Sequence, residues 1–162
     1  MKYVVLALGS NLGDRYHNIA KAIQLLDLDS VQIGRMYEND ALLAHDAPCE
    51  WNIPFINTVI SGFTNLLPNE LLKCCITVET TLGRDDNGHK WSPRIIDIDI
   101  IMYDYDVINT HVLVVPHPLF HTRDFVLLPM SDHVPKNMID FGININLSRM
   151  SDNDTLENKI AR

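Results

Sequence analysis

The segment WSPRIIDIDIIMYD, residues 91–104, sets Asp97 and Asp99 two positions apart inside an apolar, β-branched run. In a strand, alternation sends both carboxylates to one face and Ile96, Ile98 and Ile100 to the other. Two like charges a few ångströms apart repel by roughly 4 kcal/mol at an effective dielectric near 20. The pair therefore calls for protonation, salt bridges or bound cations. Mg²⁺ suits it, because this hard cation typically takes one or two carboxylates together with phosphate oxygens and water. The alternative is a solvated face on which the aspartates pair with Arg94 or a lysine. Arg84, Arg94 and Arg123 flank this segment and the later VPHPLFHTRDF in an otherwise acidic chain, which suits phosphate oxygens around a metal. Any one of these arginines is equally explained as a surface ion-pair partner.

The composition narrows the function classes. At 162 residues, 46% apolar and 21% charged, the chain has the make-up of one globular domain with a real core, and a single domain over residues 1–162 is expected. A formal net charge of -8 argues against a broad electrostatic grip on nucleic acid. A polyanionic ligand must then be met by local positive charge or by metal. No apolar run approaches the roughly 20 residues of a membrane span, and a cytoplasmic protein is expected. Cys49, Cys74 and Cys75 are an odd set without metal-like spacing and read as reduced thiols. The histidines show no H-E-x-x-H.

The elements that must position these residues follow from periodicity. YVVLALGSNLGDR reads as strand, turn and helix start, with the helix running from about Asp14 to Leu26. The spacing predicts a second strand from Val31 to Tyr37 and a long loop from Glu38 to Asn52. PFINTVISGFT is a third strand, in which Phe55, Asn57, Val59 and Ser61 share one side. Pro68 opens a helix with Leu71, Cys75, Val78 and Leu82 in register, and Glu79 at the edge of its apolar face. Residues 83–91 form a loop before a strand from Arg94 to Tyr103. Val107–Ile108 and Val112–Val115 suit a hairpin around Asn109 and Thr110, and residues 123–132 a further helix closed by Pro135. Beyond Asp140 the pattern is weak. Strand, helix, strand, strand, helix, strand suits an α+β plait with a mainly antiparallel sheet and helices packed on it.

Taken together, ALGSNLGDR, FINTV, W-S-P-R-x-x-D-I-D-I and VPHPLFHTRDFVLLPM resemble the 6-hydroxymethyl-7,8-dihydropterin pyrophosphokinase family of the folate pathway, over roughly residues 3–135. The resemblance implies a ferredoxin-like plait, ATP and two Mg²⁺ ions. It also implies transfer of the β,γ-pyrophosphoryl group to the pterin's hydroxymethyl oxygen, with release of AMP. On that likeness Asp97 and Asp99 match the metal ligands, and together with Arg84 and Arg94 they form the expected catalytic set. Glu79, Trp91, Arg94, His117 and Arg123 match positions around the nucleotide, with Trp91 on a lid that starts at Gly83. Asn57 matches the asparagine that bonds the pterin edge, and Phe55 and Phe125 match aromatics that stack on the ring. The family implies a monomer with small-molecule substrates.

The chain also departs from the family pattern. Ser92 replaces the usual glycine before P-R, Asp85 and Asp86 make the lid acidic, and YENDALLAHDAPCEWN lacks the usual substrate-loop pattern. Two other readings stay open on sequence: a binding module in which the aspartates only solvate a face, and a phosphotransferase acting on another hydroxyl.

Overall fold

The computed structural model describes residues 1–41, 43, 47–84 and 92–160, with side chains described as far as Met150. Among the described residues seven strands and four α-helices follow one another: β1 Lys2–Ser10, α1 Arg15–Leu26, β2 Asp29–Ile33, β3 Tyr37–Asn39, β4 Phe55–Thr64, α2 Pro68–Thr81, β5 Asp97–Tyr103, β6 Ile108–Asn109, β7 Val114–Val115, α3 Asp124–Met130 and α4 Lys136–Ile160. The main sheet runs β2-β4-β1-β5, with β3 also on β4, and every pairing in it is antiparallel. Two split β-α-β units interleave in this order, which is the ferredoxin-like plait.

Alternation along the strands gives the sheet two apolar faces. Leu6, Leu8, Ile56, Ile60, Ile98 and Ile100 face α1 and α2, whose Ile19, Ala22, Leu71, Cys75 and Val78 complete that core. Val5, Val59, Ile101 and Met102 face the other way, beneath Phe120, α3 and the first turns of α4. Asp14 caps α1, its carboxylate accepting the His17 N–H at 3.0 Å. All three cysteines are unpaired, Cys75 being buried.

Six expectations change. The second strand ends at Ile33, because the chain then hooks onto neighbours: the Gly34 N–H donates to Val59 O, the Thr58 hydroxyl donates to Gly34 O, and Arg35 chelates Asp132. Pairing resumes only at β3, which joins Tyr37, the end of the expected strand, to Glu38 and Asn39 of the stretch expected to be loop. The strand expected from Arg94 begins at Asp97, since Arg94 spends both backbone groups on Asn11. Residues 136–160, which include the weakly patterned stretch beyond Asp140, form the long helix α4. The helix expected over 123–132 is confined to Asp124–Met130, and the small hairpin turns over Thr110–Leu113, so that Asn109 falls in a strand.

Candidate active site

One cross-sheet row organises the site. Tyr37, Asn57, Gly9 and Asp97 stand side by side on β3, β4, β1 and β5, and the next row on the same face joins Val59, Ala7 and Asp99. The expected side-chain alternation thus carries Phe55, Asn57, Asp97 and Asp99 to one face, at the end of the sheet that the second core leaves open. A Cβ on Gly9 would lie 2.5 Å from Asn57 Oδ1 and 3.4 Å from Phe55 Cδ1, so only a hydrogen at this position leaves both side chains in place. The Asn57 Nδ2 donates to Asn39 Oδ1 at 2.6 Å, which fixes the amide plane.

At the β5 end the charges interlock. Arg84 Nη1 donates to Asp97 Oδ1 at 2.7 Å and also to Glu79 Oε1, while Arg94 Nη1 donates to the same Asp97 oxygen at 3.1 Å. Glu79 is a buried acid rather than the surface acid that helix spacing alone allows, and its Oε1 also accepts the Ile98 N–H at 2.7 Å. Burial raises its carboxyl to about 7, against the pull of Arg84 and the Ile98 N–H. Burial opposes the charge of Arg84 too, but Asp97 and Glu79 outweigh it and hold that guanidinium above its ordinary value.

Asp99 occupies the floor of this depression. Its side chain is 39% exposed, yet desolvation by the surrounding protein, followed by the charge of Asp97, raises its carboxyl to about 6. Arg123 Nη1 lies 3.7 Å and His117 Nε2 4.0 Å from Asp99 Oδ2. Burial, then Arg123, lowers His117 to about 4, so the imidazole is neutral near pH 7. Its Nδ1 accepts the Leu119 N–H at 3.2 Å, which leaves the proton on Nε2, the nitrogen that faces Asp99. Arg123 also lies over the Phe125 ring, 5.9 Å from its centroid. Phe125 opens α3, and α3 packs on β3 and β4, the strands that bear Asn39, Phe55 and Asn57.

The structure therefore brings Glu79, Arg84, Arg94, Asp97, Asp99, His117 and Arg123 into one charged network beside Phe55 and Asn57. Trp91, Asp85 and Asp86 lie outside the described residues. Ser92 is buried, and its carbonyl accepts the Arg94 Nε–H at 3.2 Å. Sequence reasoning passed over two residues. Asn11, 2% exposed, accepts the Arg94 N–H on Oδ1 at 2.7 Å and donates to Ile53 O at 3.1 Å, splicing the Arg94 segment to the approach of β4. Asn39 orients Asn57. Both sit in Asn-containing stretches that read as turn and loop, and nothing in their spacing separates a bridging amide from a turn former.

Two carboxylates on one strand face, ringed by guanidiniums, are half of a binding site. Among the described residues no group of three or more His, Cys, Asp or Glu is placed to hold a metal ion by protein ligands alone. That donor set fits Mg²⁺, which fills most of its octahedron with phosphate and water. It does not fit a closed structural metal centre.

Comparison with known proteins bears on what this site is for. A curated "2-amino-4-hydroxy-6-hydroxymethyldihydropteridine pyrophosphokinase" from Aquifex aeolicus is 41% identical over 141 residues, covering 83% of this chain and 82% of that one. A "Folate synthesis bifunctional protein" from Chlamydia caviae is 39% identical over 129 residues, covering 78% of this chain; the match spans only 29% of that longer protein. A solved HPPK-DHPS structure from Plasmodium falciparum shares the fold, with a TM-score of 0.55 at 15% identity over 83% of this chain and 40% of that one. The family model for 7,8-dihydro-6-hydroxymethylpterin-pyrophosphokinase matches residues 5–135, which hold every site residue described above, and the chain belongs to that family.

Proposed function

We propose that this chain transfers the β,γ-pyrophosphoryl group of ATP to the hydroxymethyl oxygen of 6-hydroxymethyl-7,8-dihydropterin, giving AMP and the pterin diphosphate. The observation that carries this reading is the single row in which Asn57, Gly9 and Asp97 stand side by side. It puts the Asn57 amide, with Phe55 on the same strand face, in line with a carboxylate that arginines surround.

The two ends divide the work. Phe55 and Phe125 offer faces for a flat heterocycle, and the Asn57 amide, held by Asn39, offers a donor and an acceptor to its edge. Arg84, Arg94 and Arg123 are paired with the carboxyl groups of Glu79, Asp97 and Asp99. The guanidiniums would serve the phosphate oxygens of a bound triphosphate, and Asp97 and Asp99 would hold the Mg²⁺ that comes with it. The donors are in place before the reaction starts. Mg²⁺, when bound, supplies neutralisation of the phosphate charge and alignment of the hydroxyl with the β-phosphorus. Neutral His117 adds an N–H donor at the Asp99 end without adding charge.

The reading extends to two Mg²⁺ ions on Asp97 and Asp99, and to a single domain over residues 1–162 acting as a cytoplasmic monomer. No helix among the described residues is long and apolar enough to cross a membrane. The test is a product assay with Mg²⁺, ATP and 6-hydroxymethyl-7,8-dihydropterin. AMP in step with pterin diphosphate, abolished by EDTA, is the expected result. ADP with pterin monophosphate would refute attack on the β-phosphorus, and no product from folded protein would refute the reading as a whole.

A further inference from the structure

Helix α4 begins at Lys136, just past the family match, and its inner face meets the segment that carries His117. Gly142, Asn146 and Arg149, spaced by four and three, share that face. The helix backbone lies against the Phe120 ring at Gly142, where a Cβ would come within 2.9 Å of Phe120 Cζ. Asn146, 2% exposed, donates from Nδ2 to His117 O at 2.8 Å, and the same nitrogen lies 3.2 Å from His121 Nδ1. Arg149 donates from Nη1 to Pro116 O at 2.8 Å and to Asn146 Oδ1 at 3.0 Å. Its Nη2 donates to Val115 O at 2.9 Å and Ile108 O at 3.3 Å.

The carbonyls of three consecutive residues, Val115, Pro116 and His117, are thus held by two polar side chains of one helix. The sheet holds the other side of the same residue, because the His117 N–H donates to Ile101 O at 2.9 Å. His117 is clamped through its backbone from both directions, and its Nε2 is left facing Asp99.

We propose that Asn146 and Arg149 are positioning residues, which act through the 115–117 backbone to set His117 at the phosphate end of the site. This inference rests on the ATP and pterin reading given above. Apart from the Arg149–Asn146 bond within the helix, the bonds of both side chains go to residues 108–121, whereas Phe55 and Asn57 are carried by β4 and Phe125 by α3. Nucleotide handling therefore depends on the clamp, and pterin handling does not.

Steady-state kinetics of the full chain, varying ATP and the pterin separately, test this. Asn146→Ala and Arg149→Met are expected to raise the KM for ATP or lower kcat at least tenfold, with the pterin KM within twofold of wild type. Arg149→Lys, which retains a donor for the Pro116 and Val115 carbonyls, should recover to within about threefold. Asn137→Ala is the comparison, since it removes a bond from the first turn of the same helix to the Tyr105 hydroxyl. It should lower Tm and leave the ATP kinetics at the wild-type value. ATP kinetics unchanged in Asn146→Ala and Arg149→Met would overturn the proposal, as would an equal rise in both KM values in all three truncations. If Asn146→Ala does not fold, the Arg149→Met and Arg149→Lys pair decides alone. A wild-type chain that makes no pterin diphosphate overturns the proposed function itself.

Discussion

Arg84 and Asp97 are joined by a 2.7 Å bond from Nη1 to Oδ1, and that single carboxylate oxygen also takes Arg94 at 3.1 Å. Asp97 is therefore the hub that holds two guanidiniums at the mouth of the site. Asp97→Ala takes this shared partner from both, leaving Arg84 to Glu79 and Arg94 to the Ser92 carbonyl, and removes one of the two carboxylates proposed to hold Mg²⁺. We expect AMP formation to fall at least ~100-fold, equivalent to about 2.7 kcal/mol of barrier. The residue stands at the start of β5 with its side chain one-third exposed, so Tm should move by no more than a few degrees. Wild-type turnover in this variant would remove Asp97 from the mechanism.

Gly9→Ala should separate function from stability. The new Cβ would meet Asn57 Oδ1 at 2.5 Å, and that atom is the movable end of a side chain rather than backbone. Asn57 must swing away and loosen its bond to Asn39, while the strand gains roughly 0.5–1 kcal/mol in propensity from replacing glycine. The expected outcome is a pterin KM raised about tenfold, the loss of roughly one to two hydrogen bonds' worth of binding. The KM for ATP and Tm should stay near wild type. A fall in Tm without a change in the pterin KM would show that Gly9 serves packing alone.

The parts of the fold legible in the sequence are those in which burial follows a simple period. Strand β4 alternates Asn57 and Val59 against Ile56 and Ile60, and α2 repeats Leu71, Cys75 and Val78, so both elements and their facing residues follow from spacing. The carboxylate pair was legible for the same reason. Helix α4 was not. Met138, Ile139, Phe141 and Ile143 pack on the second core only in its first turns, and the inner line continues through Gly142, Asn146 and Arg149, none of them a large apolar side chain. Asn146 and Arg149 earn their inward position through hydrogen bonds to backbone carbonyls, which leave no hydrophobic signature. The start of β5 was misjudged on similar grounds, because apolar content cannot show that the Arg94 backbone is bonded to Asn11. Glu79 reads from helix spacing only as a residue at the edge of an apolar face, and the tertiary fold is what brings Arg84 and the Ile98 N–H to it.

Glu79 should make stability fall as pH rises through the mildly acidic range. Its carboxyl titrates at about 7 in the folded chain, against an ordinary value of 4.5. The folded state thus holds its proton more tightly than the unfolded chain, and the folded state is most favoured below 4.5. Between 4.5 and 7 the unfolded chain ionises first and stability declines; above 7 the decline is complete. At about 1.36 kcal/mol per pH unit, the loss approaches roughly 3 kcal/mol. Glu79→Gln keeps an Oε1 acceptor for the Ile98 N–H but cannot ionise. Urea unfolding at intervals from pH 4.5 to 8 should give a wild-type curve that drops relative to the variant up to pH 7 and then runs parallel to it. Parallel curves over the whole range would show that Glu79 is ionised throughout.

Arg123 touches both ends of the site, with Nη1 3.7 Å from Asp99 Oδ2 and its guanidinium 5.9 Å from the Phe125 ring centroid. The two contacts ask different things of the side chain. Proximity to Asp99 needs positive charge, which lysine also supplies, whereas lying flat over an aromatic face favours the planar, weakly hydrated guanidinium. A cation over an aromatic ring contributes about 0.5–1 kcal/mol when partly solvated, or roughly two- to fivefold in binding. Arg123→Lys should therefore raise the pterin KM by that factor, because the Phe125 ring loses the plane that fixes it, while the KM for ATP stays within twofold. Arg123→Met removes the charge as well and should raise both KM values, that for ATP by tenfold or more. If Arg123→Lys shifts both constants together, Phe125 is not positioned by Arg123, and the cation acts on the nucleotide end alone.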